Sequence, residues 1–140
     1  MAETVSSITG ILETPLYVDD VARARAFYVD VLGLAAVYDS PRLVALKAGE
    51  RQVLLLFLRG ASTEPIATPG GTIPPHDGAG PLHFAFQVPA GELPTWERHL
   101  SRHGVVVEGR VTWAQGESLY FRDPDGHLVE LATPGLWGIG

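Results

Sequence analysis

At 140 residues, 46% hydrophobic and 19% charged, the chain has enough apolar sequence for one domain with a sizeable core and is not disordered. A net charge of −6 without a basic run argues against a nucleic-acid surface, and no apolar run is long enough to cross a membrane. Because cysteine is absent, disulfides are excluded and any metal must be held by nitrogen and oxygen. The N-terminal residues do not have the pattern of a signal peptide, so we expect a cytoplasmic protein.

The first half of the chain predicts a strand, a helix and three further strands. The first strand is expected over residues 8–18, and Asp19 and Asp20 are good caps for a helix that begins after them. Apolar residues then recur at helical spacing until Gly33, which is placed to end the helix. The three strands are predicted at residues 36–38, 43–46 and 51–58.

A stretch rich in proline and glycine, residues 59–81, separates the two halves. It holds five prolines and five glycines, and no periodic pattern survives in it. A loop this long within a compact domain is uncommon and is usually a linker, a lid or a binding loop. Because it lies between two similar halves, we interpret it as a linker.

The second half, residues 82–132, repeats the order of the first half, residues 8–58. A strand at 83–88 precedes a helix whose stripe includes Leu93, Trp96 and Leu100, and Gly104 ends it as Gly33 ends the first helix. Strands are predicted at 105–107, 118–122 and 127–132. The tail, residues 133–140, carries Leu136 and Trp137, which we expect to pack on another surface, with a partner subunit as one candidate.

Three residues of this repeat are candidate metal ligands. Glu13 and His83 open the equivalent first strands, and Glu130 lies in an otherwise apolar strand, where an unpaired carboxylate is costly. We therefore predict that the three side chains meet around one divalent metal ion. The alternatives are a solvated strand end for Glu13 and a hydrogen-bonded core histidine for His83.

Three stretches resemble the vicinal oxygen chelate superfamily, which contains glyoxalases, extradiol dioxygenases, fosfomycin-resistance proteins and bleomycin-resistance proteins. They are ETPLYVDDVARARAFYVDVLGL, GPLHFAFQVP and SLYFRDPDGHLVEL, which begin at residues 13, 80 and 118. The resemblance implies an α+β fold of two βαβββ modules that form curved mixed sheets. It also implies a homodimer in which modules of two subunits often complete each site.

The resemblance places the metal-ligand positions of the family on Glu13, where histidine is more usual, and on His83 and Glu130. A fourth position, used by four-ligand glyoxalases, falls at or near Leu55, which cannot bind a metal. The chain therefore fits a three-ligand site with one divalent ion, for which manganese, iron, cobalt, nickel and zinc are all suitable.

The function predicted from these features is that of a metal-dependent enzyme acting on a small organic molecule with vicinal oxygens. We expect a lyase, isomerase or dioxygenase rather than a classical glyoxalase I. The alternative is a metal-free protein that binds or sequesters a drug, as bleomycin-resistance members do. His76 and Tyr120 are candidate catalytic residues, and Arg122 is a candidate substrate-binding residue.

Overall fold

A computed structural model of the chain describes residues 3–139, so the end of the predicted tail, Gly140, lies outside the described residues. In each half, a strand and a helix are followed by three further strands, which confirms the predicted βαβββ order. The first module consists of β1 (Glu13–Val18), α1 (Val21–Ala26) with a π-helical continuation (Phe27–Val31), β2 (Ala35–Asp39), β3 (Leu43–Lys47) and β4 (Val53–Leu58). A short hairpin follows, with β5 (Ile66–Thr68) and β6 (Gly71–Ile73). The second module consists of β7 (His83–Gln87), α2 (Leu93–Arg102), β8 (Gly109–Trp113), β9 (Gly116–Arg122) and β10 (Leu128–Ala132).

The two modules form four-stranded sheets with the same strand order, β1-β4-β3-β2 in the first and β7-β10-β9-β8 in the second. In both sheets the first pair is parallel and the remaining pairs are antiparallel, so the sheets are mixed and the fold is α+β. Glu13 opposes Val53 at the start of β1, and His83 opposes Leu128 at the start of β7. The registers therefore confirm the internal repeat predicted from the sequence.

The helices begin and end where local chemistry places them. Asp20 caps the first helix, since its side chain accepts the backbone N–H of Arg23 at 3.0 Å. Gly33 and Gly104 end the two helices with φ of 77° and 71°, a left-handed conformation that glycine adopts without a steric penalty. Within residues 3–139, no helix combines the length and apolar character needed to cross a membrane.

The main core is shared by the two modules, since one cluster of buried residues contains strand and helix residues of both. The phenol of Tyr28, on the π-helical segment, is fully buried and donates to Asp123 Oδ2 of the second module at 2.7 Å. His127 is also fully buried. Its Nδ1 accepts the N–H of Leu82 at 2.9 Å and its Nε2 donates to the carbonyl of Tyr17 at 2.8 Å, so it ties the first strands of both modules together.

Two predicted strand positions are wrong for reasons that the structure supplies. Residues 8–12 are exposed and lie outside β1, because β4 begins at Val53, whose N–H makes the last bond of the pair, to the carbonyl of Leu12 at 2.9 Å. Residues 105–107 are not a strand either. The N–H of Val105 bonds to the carbonyl of Leu100 at the end of α2, and pairing with β9 begins at Gly109.

The linker contains the β5–β6 hairpin. The sequence did not predict this hairpin, because the linker shows no periodic pattern. It closes around Pro69 and Gly70, and the hydroxyl of Thr68 donates to the carbonyl of Gly71 at 2.6 Å. The later part of the linker is held to the first module, since His76 Nδ1 lies 2.8 Å from the hydroxyl of Tyr17 on β1.

Candidate metal and ligand site

Two neighbouring strands bring His83 and Glu130 together. On β10, Val129 and Leu131 point into the main core, so the intervening Glu130 projects from the opposite face, which we call the outer face of the second sheet. Glu130 pairs with Ala85 on the parallel strand β7, two residues after His83. As a result, His83 Nε2 lies 3.3 Å from Glu130 Oε1.

The orientation of the imidazole follows from its second nitrogen. His83 Nδ1 lies 2.9 Å from the carbonyl oxygen of Leu128, and because a carbonyl only accepts, Nδ1 must carry the hydrogen. In the neutral ring, Nε2 then presents a lone pair toward a carboxylate oxygen. Two such acceptors attract only a proton or a cation between them, and a metal-binding histidine characteristically donates its other nitrogen in this way.

Glu130 is held by a chain of hydrogen bonds that runs across β9 to the end of β8. Glu130 is only 7% exposed, and its Oε2 accepts the hydroxyl of Ser118 at 2.6 Å. Ser118 Oγ in turn accepts the indole N–H of Trp113 at 2.9 Å. The carboxylate is therefore fixed on one oxygen, and the other oxygen is directed toward His83.

Tyr120 lies beside this pair. It opposes Glu130 in the register of β9 and β10, and its ring centroid is 6.1 Å from that of His83. Burial, together with the charge of Glu130, raises the pKa of the Tyr120 phenol above its ordinary value. The hydroxyl therefore keeps its proton and is available as a hydrogen-bond donor.

The pair opens into a cavity of about 480 Å³ on the outer face of the second sheet. Tyr120 lines the floor of this cavity, together with His83 and Glu130. Trp113 and the C-terminal segment, including Trp137, supply apolar walls. The site thus combines two side chains that can bind a metal ion, His83 and Glu130, with an apolar recess large enough for a small organic molecule.

Glu13 lies on the corresponding outer face of the first sheet and is exposed. The core-facing residues of β1 are Leu16 and Val18, so Glu13 and Tyr17 project away from the core, as His83 does in the second sheet. Among residues 3–139, no three His, Cys, Asp or Glu side chains come close enough together to hold a metal. One chain therefore assembles His83 and Glu130 but not Glu13.

The comparison with known families agrees with this architecture. Residues 8–131 match the family model of the Glyoxalase/Bleomycin resistance protein/Dioxygenase superfamily. The chain belongs to this superfamily. The fold and the resemblance predicted from the sequence are thereby confirmed.

Individual superfamily relatives differ in what their names describe. A crystal structure of lactoylglutathione lyase from Agrobacterium tumefaciens is 37% identical with a TM-score of 0.86, and the match covers 96% of this chain and 100% of that one. Biphenyl-2,3-diol 1,2-dioxygenase 3 of Rhodococcus globerulus is 35% identical over 118 residues, which are 77% of this chain and 57% of the relative. Metallothiol transferase FosB of Bacillus licheniformis is 45% identical over 53 residues, 36% of this chain and 34% of the relative. The chain thus spans less than two thirds of the length of these two curated relatives.

The register also bears on Leu55, at or near which the resemblance places the fourth ligand position of four-ligand glyoxalases. Leu55 pairs with Pro15, two residues after Glu13, just as Glu130 pairs with Ala85, two residues after His83. Leu55 is thus the counterpart of Glu130 in the first module. It is 9% exposed, and it packs with Ala45 and Phe57 in a second apolar cluster on the outer face of the first sheet.

Two predicted site residues lie away from the cavity. His76 sits against the first sheet, where its Nδ1 is 2.8 Å from the hydroxyl of Tyr17 and its ring packs edge-on against Phe57. Arg122 points to Glu108 Oε1 at 3.3 Å and to the carbonyl of Gly126 at 3.1 Å. Neither is among the described residues that line the cavity of one chain.

The sequence interpretation did not include Trp113 and Ser118 in the site. Ser118 is 2% exposed and lies within β9, on the same face as Tyr120. The available signal was the two-residue alternation from Ser118 to Tyr120, which puts both side chains on one face of the strand. No comparable signal identified Trp113, whose role depends on how β8 pairs with β9.

Proposed function

We propose that the protein is a divalent-metal-dependent enzyme that acts on a small organic molecule with vicinal oxygens. The observation that carries this proposal is the His83–Glu130 pair, in which two acceptor atoms face each other at 3.3 Å while their other atoms are held by Leu128 and Ser118. An imidazole and a carboxylate fit manganese, iron, cobalt, nickel or zinc. The cysteine-free composition agrees with a nitrogen and oxygen ligand set.

We further infer that Glu13 of a second copy completes the ligand set in a homodimer. Glu13 is the counterpart of His83 in the repeat, and its face of the first sheet carries the second apolar cluster, in which Tyr17, Leu43 and Val53 stay partly exposed. Covering this cluster with the outer face of a partner's second sheet would bury apolar area and bring a third donor to the pair.

A bound metal ion would polarise a substrate oxygen or lower the pKa of bound water. The contribution of the chain itself is to hold and orient the groups around that position. Ser118 fixes one oxygen of Glu130, Leu128 fixes the imidazole of His83, and the protonated phenol of Tyr120 can donate to a substrate oxygen. The apolar walls of the cavity exclude water from the region where the substrate would lie.

The reaction class that we favour is a dioxygenase, lyase or isomerase other than the conversion of a glutathione hemithioacetal. The similarity to a structure named lactoylglutathione lyase favours that conversion, whereas Leu55 argues against it. Leu55 removes the carboxylate that a fourth ligand would supply, so any proton transfer would fall to Glu130 or Glu13 while they hold the ion. We therefore give the identity of the ligand residues more weight than the overall similarity.

The test is metal binding by the purified protein, measured by calorimetry with Mn²⁺, Co²⁺, Ni²⁺ and Zn²⁺. The wild type should bind about one ion per chain, and His83→Ala should abolish binding, because the imidazole is a direct ligand. His103→Ala is the matched control, since His103 is an exposed residue at the end of α2, and it should bind as the wild type does.

Glu13→Ala tests the ligand from the second copy. It should weaken metal binding while leaving the free energy of unfolding nearly unchanged, because Glu13 is exposed. Unchanged metal binding in His83→Ala would contradict the site, and unchanged binding in Glu13→Ala would contradict the participation of the second copy.

A second candidate function is metal-free binding of a small molecule. The observation that favours it is that, among residues 3–139, a single chain gathers fewer than three donors, while the cavity has indole walls. Metal content after gentle purification separates the two candidates. Protein without metal that neither takes up added metal nor loses ligand affinity in a chelator would favour the binding protein.

A further inference from the structure

We propose that the cavity at His83 and Glu130 selects a flat aromatic ligand that carries no anionic group, and that Trp113 and Trp137 are the residues that confer this selectivity. The inference rests on the proposed function for the placement of the ligand's vicinal oxygens. It adds the chemical class of the remainder of the molecule.

The two indoles are presented to the cavity instead of being packed in the core. Trp113 is 45% exposed and Trp137 is 86% exposed, and both line the same recess. In the part of the chain that the structure describes, neither ring pairs with another aromatic ring. Each indole therefore has an apolar face available for a planar partner, which offset stacking would bury.

The ring of Trp113 is already held in place. Its N–H donates to Ser118 Oγ at 2.9 Å, and Ser118 donates to Glu130 at 2.6 Å. The same chain of hydrogen bonds thus fixes the indole of Trp113 and the carboxylate of Glu130 relative to each other. A ligand that stacks on Trp113 loses little additional side-chain freedom, which favours affinity.

The segment that carries Trp137 is folded back and anchored. The N–H of Glu117 donates to Thr133 Oγ1 at 2.9 Å, and the N–H of Gly135 donates to the carbonyl of Ile139 at 3.1 Å. The β8–β9 turn makes room for the segment at Gly116, where a β-carbon would lie only 2.8 Å from Thr133 Oγ1. The indole wall is therefore part of the fold of the second module.

The charges that one chain places around the cavity disfavour an anionic ligand, and Glu13 of a second copy would add another negative charge. Among the described residues, its ionisable lining consists of His83, Tyr120 and Glu130, and no lysine or arginine lines it. The arginines of β8 and β9 pair with carboxylates outside the cavity, Arg110 with Glu97 and Arg122 with Glu108. A phosphonate, sulfonate or peptide carboxylate would enter this space without a counter-ion and beside the carboxylate of Glu130.

Three matched probes test separately whether the cavity prefers an aromatic ligand and whether it rejects an anionic one. They are 2,3-dihydroxynaphthalene, its 6-sulfonate, and trans-cyclohexane-1,2-diol, and each is titrated against the purified full-length chain by calorimetry and by tryptophan fluorescence. The first probe should bind at least about tenfold more tightly than either of the others. Equal affinity for the sulfonate would overturn the charge argument, and equal affinity for the cyclohexane diol would overturn the aromatic one.

Substitutions then locate the effect. Trp137→Ala and Trp113→Ala should each weaken binding of 2,3-dihydroxynaphthalene by about tenfold, whereas Trp113→Phe, which keeps a ring, should weaken it less. Tyr38→Ala removes an aromatic side chain that is 57% exposed on the other sheet and should leave the affinity unchanged. Sedimentation of each variant checks assembly. A Trp137→Ala variant that dissociates a dimer but binds the probe normally would assign Trp137 to an interface and overturn its role here.

The same titrations in EDTA and in Mn²⁺ keep this proposal separable from the proposed function. If the preference for the uncharged aromatic probe persists in EDTA, the cavity assignment stands even where metal binding fails. If Mn²⁺ binds but the three probes bind equally, metal dependence stands and the indole selectivity is wrong.

Discussion

Replacing Tyr28 with phenylalanine should reveal how strongly the two modules are coupled. The Tyr28 hydroxyl is fully buried and donates to Asp123 Oδ2 at 2.7 Å, while Asp123 Oδ1 accepts the N–H groups of Asp125 and His127. Tyr28→Phe keeps the ring and leaves Oδ2 of a buried carboxylate without its hydrogen-bond donor. A hydrogen bond to a charged group contributes roughly 1.5–3 kcal/mol, so we expect a loss of about 2 kcal/mol in the free energy of unfolding.

The corresponding change in melting temperature follows from the size of the chain. With an unfolding entropy of about 2.1 cal/mol/K per residue, a chain of 140 residues has about 0.3 kcal/mol/K in total. A loss of about 2 kcal/mol then lowers Tm by about 7 °C. Urea unfolding and calorimetry measure the two quantities, and Tyr38→Phe is the control because Tyr38 is 57% exposed.

The penalty should also depend on pH in one direction. Burial and the neighbouring Asp123 carboxylate raise the pKa of Tyr28 well above its ordinary value. Below a pH of about 10, tyrosine is protonated in both the folded and the unfolded chain, so the difference between wild type and Tyr28→Phe is constant. Above it, only the unfolded wild type ionises, and the wild-type advantage should shrink by about 1.4 kcal/mol per pH unit. A Tyr28→Phe variant within about 0.5 kcal/mol of the wild type at neutral pH, or a penalty that grows above pH 10, would refute this reasoning.

The remaining predictions concern the site and the assembly. Ser118→Ala should weaken metal binding by about 10- to 100-fold, because Glu130 loses the donor that orients it. The control is Ser101→Ala, on the exposed face of α2, which should leave metal affinity unchanged. Equal affinities of the two variants would show that Ser118 does not position the carboxylate. At micromolar concentration, sedimentation should show a two-fold dimer, and a species that is monomeric throughout would contradict the proposed covering of the outer face of the first sheet. With methylglyoxal and glutathione and each of Ni²⁺, Zn²⁺, Co²⁺ and Mn²⁺, thioester formation followed by absorbance should be weak or absent. A kcat/KM above roughly 10⁴ M⁻¹s⁻¹ would mean that Leu55 does not prevent this reaction.

The elements that follow from local chemistry were the ones that the sequence predicted well. Asp20 caps its helix as expected, and Gly33 and Gly104 end theirs with positive φ, because these roles depend only on neighbouring backbone. The strand predicted at residues 105–107 is absent, because an apolar β-branched run favours a strand whether or not a partner strand lies within hydrogen-bonding distance. There, the N–H of Val105 is taken by the end of α2.

The candidate site was predictable only in part. His83 and Glu130 carry a signal of their own, since one opens a repeated strand and the other interrupts an apolar one. Arg122 shares a strand face with Tyr120, yet its long side chain turns to Glu108 and Gly126, and sequence spacing does not determine that choice. Ser118 positions Glu130 through one hydrogen bond to a carboxylate oxygen, and no local sequence pattern could identify that contact.

The sequence by itself determined the repeat, because equal spacing of strand starts, helix-ending glycines and apolar alternation demands the same βαβββ order in both halves. It also determined that Glu13 and His83 occupy equivalent positions. Only the tertiary structure decided which donors meet. Parallel pairing of β7 with β10 brings Glu130 to His83. The buried faces of both sheets pack with the helices in one core, which leaves Glu13 and His83 on the outer faces of separate sheets. A periodic pattern specifies which face of a strand a side chain occupies, but the core specifies which faces lie together.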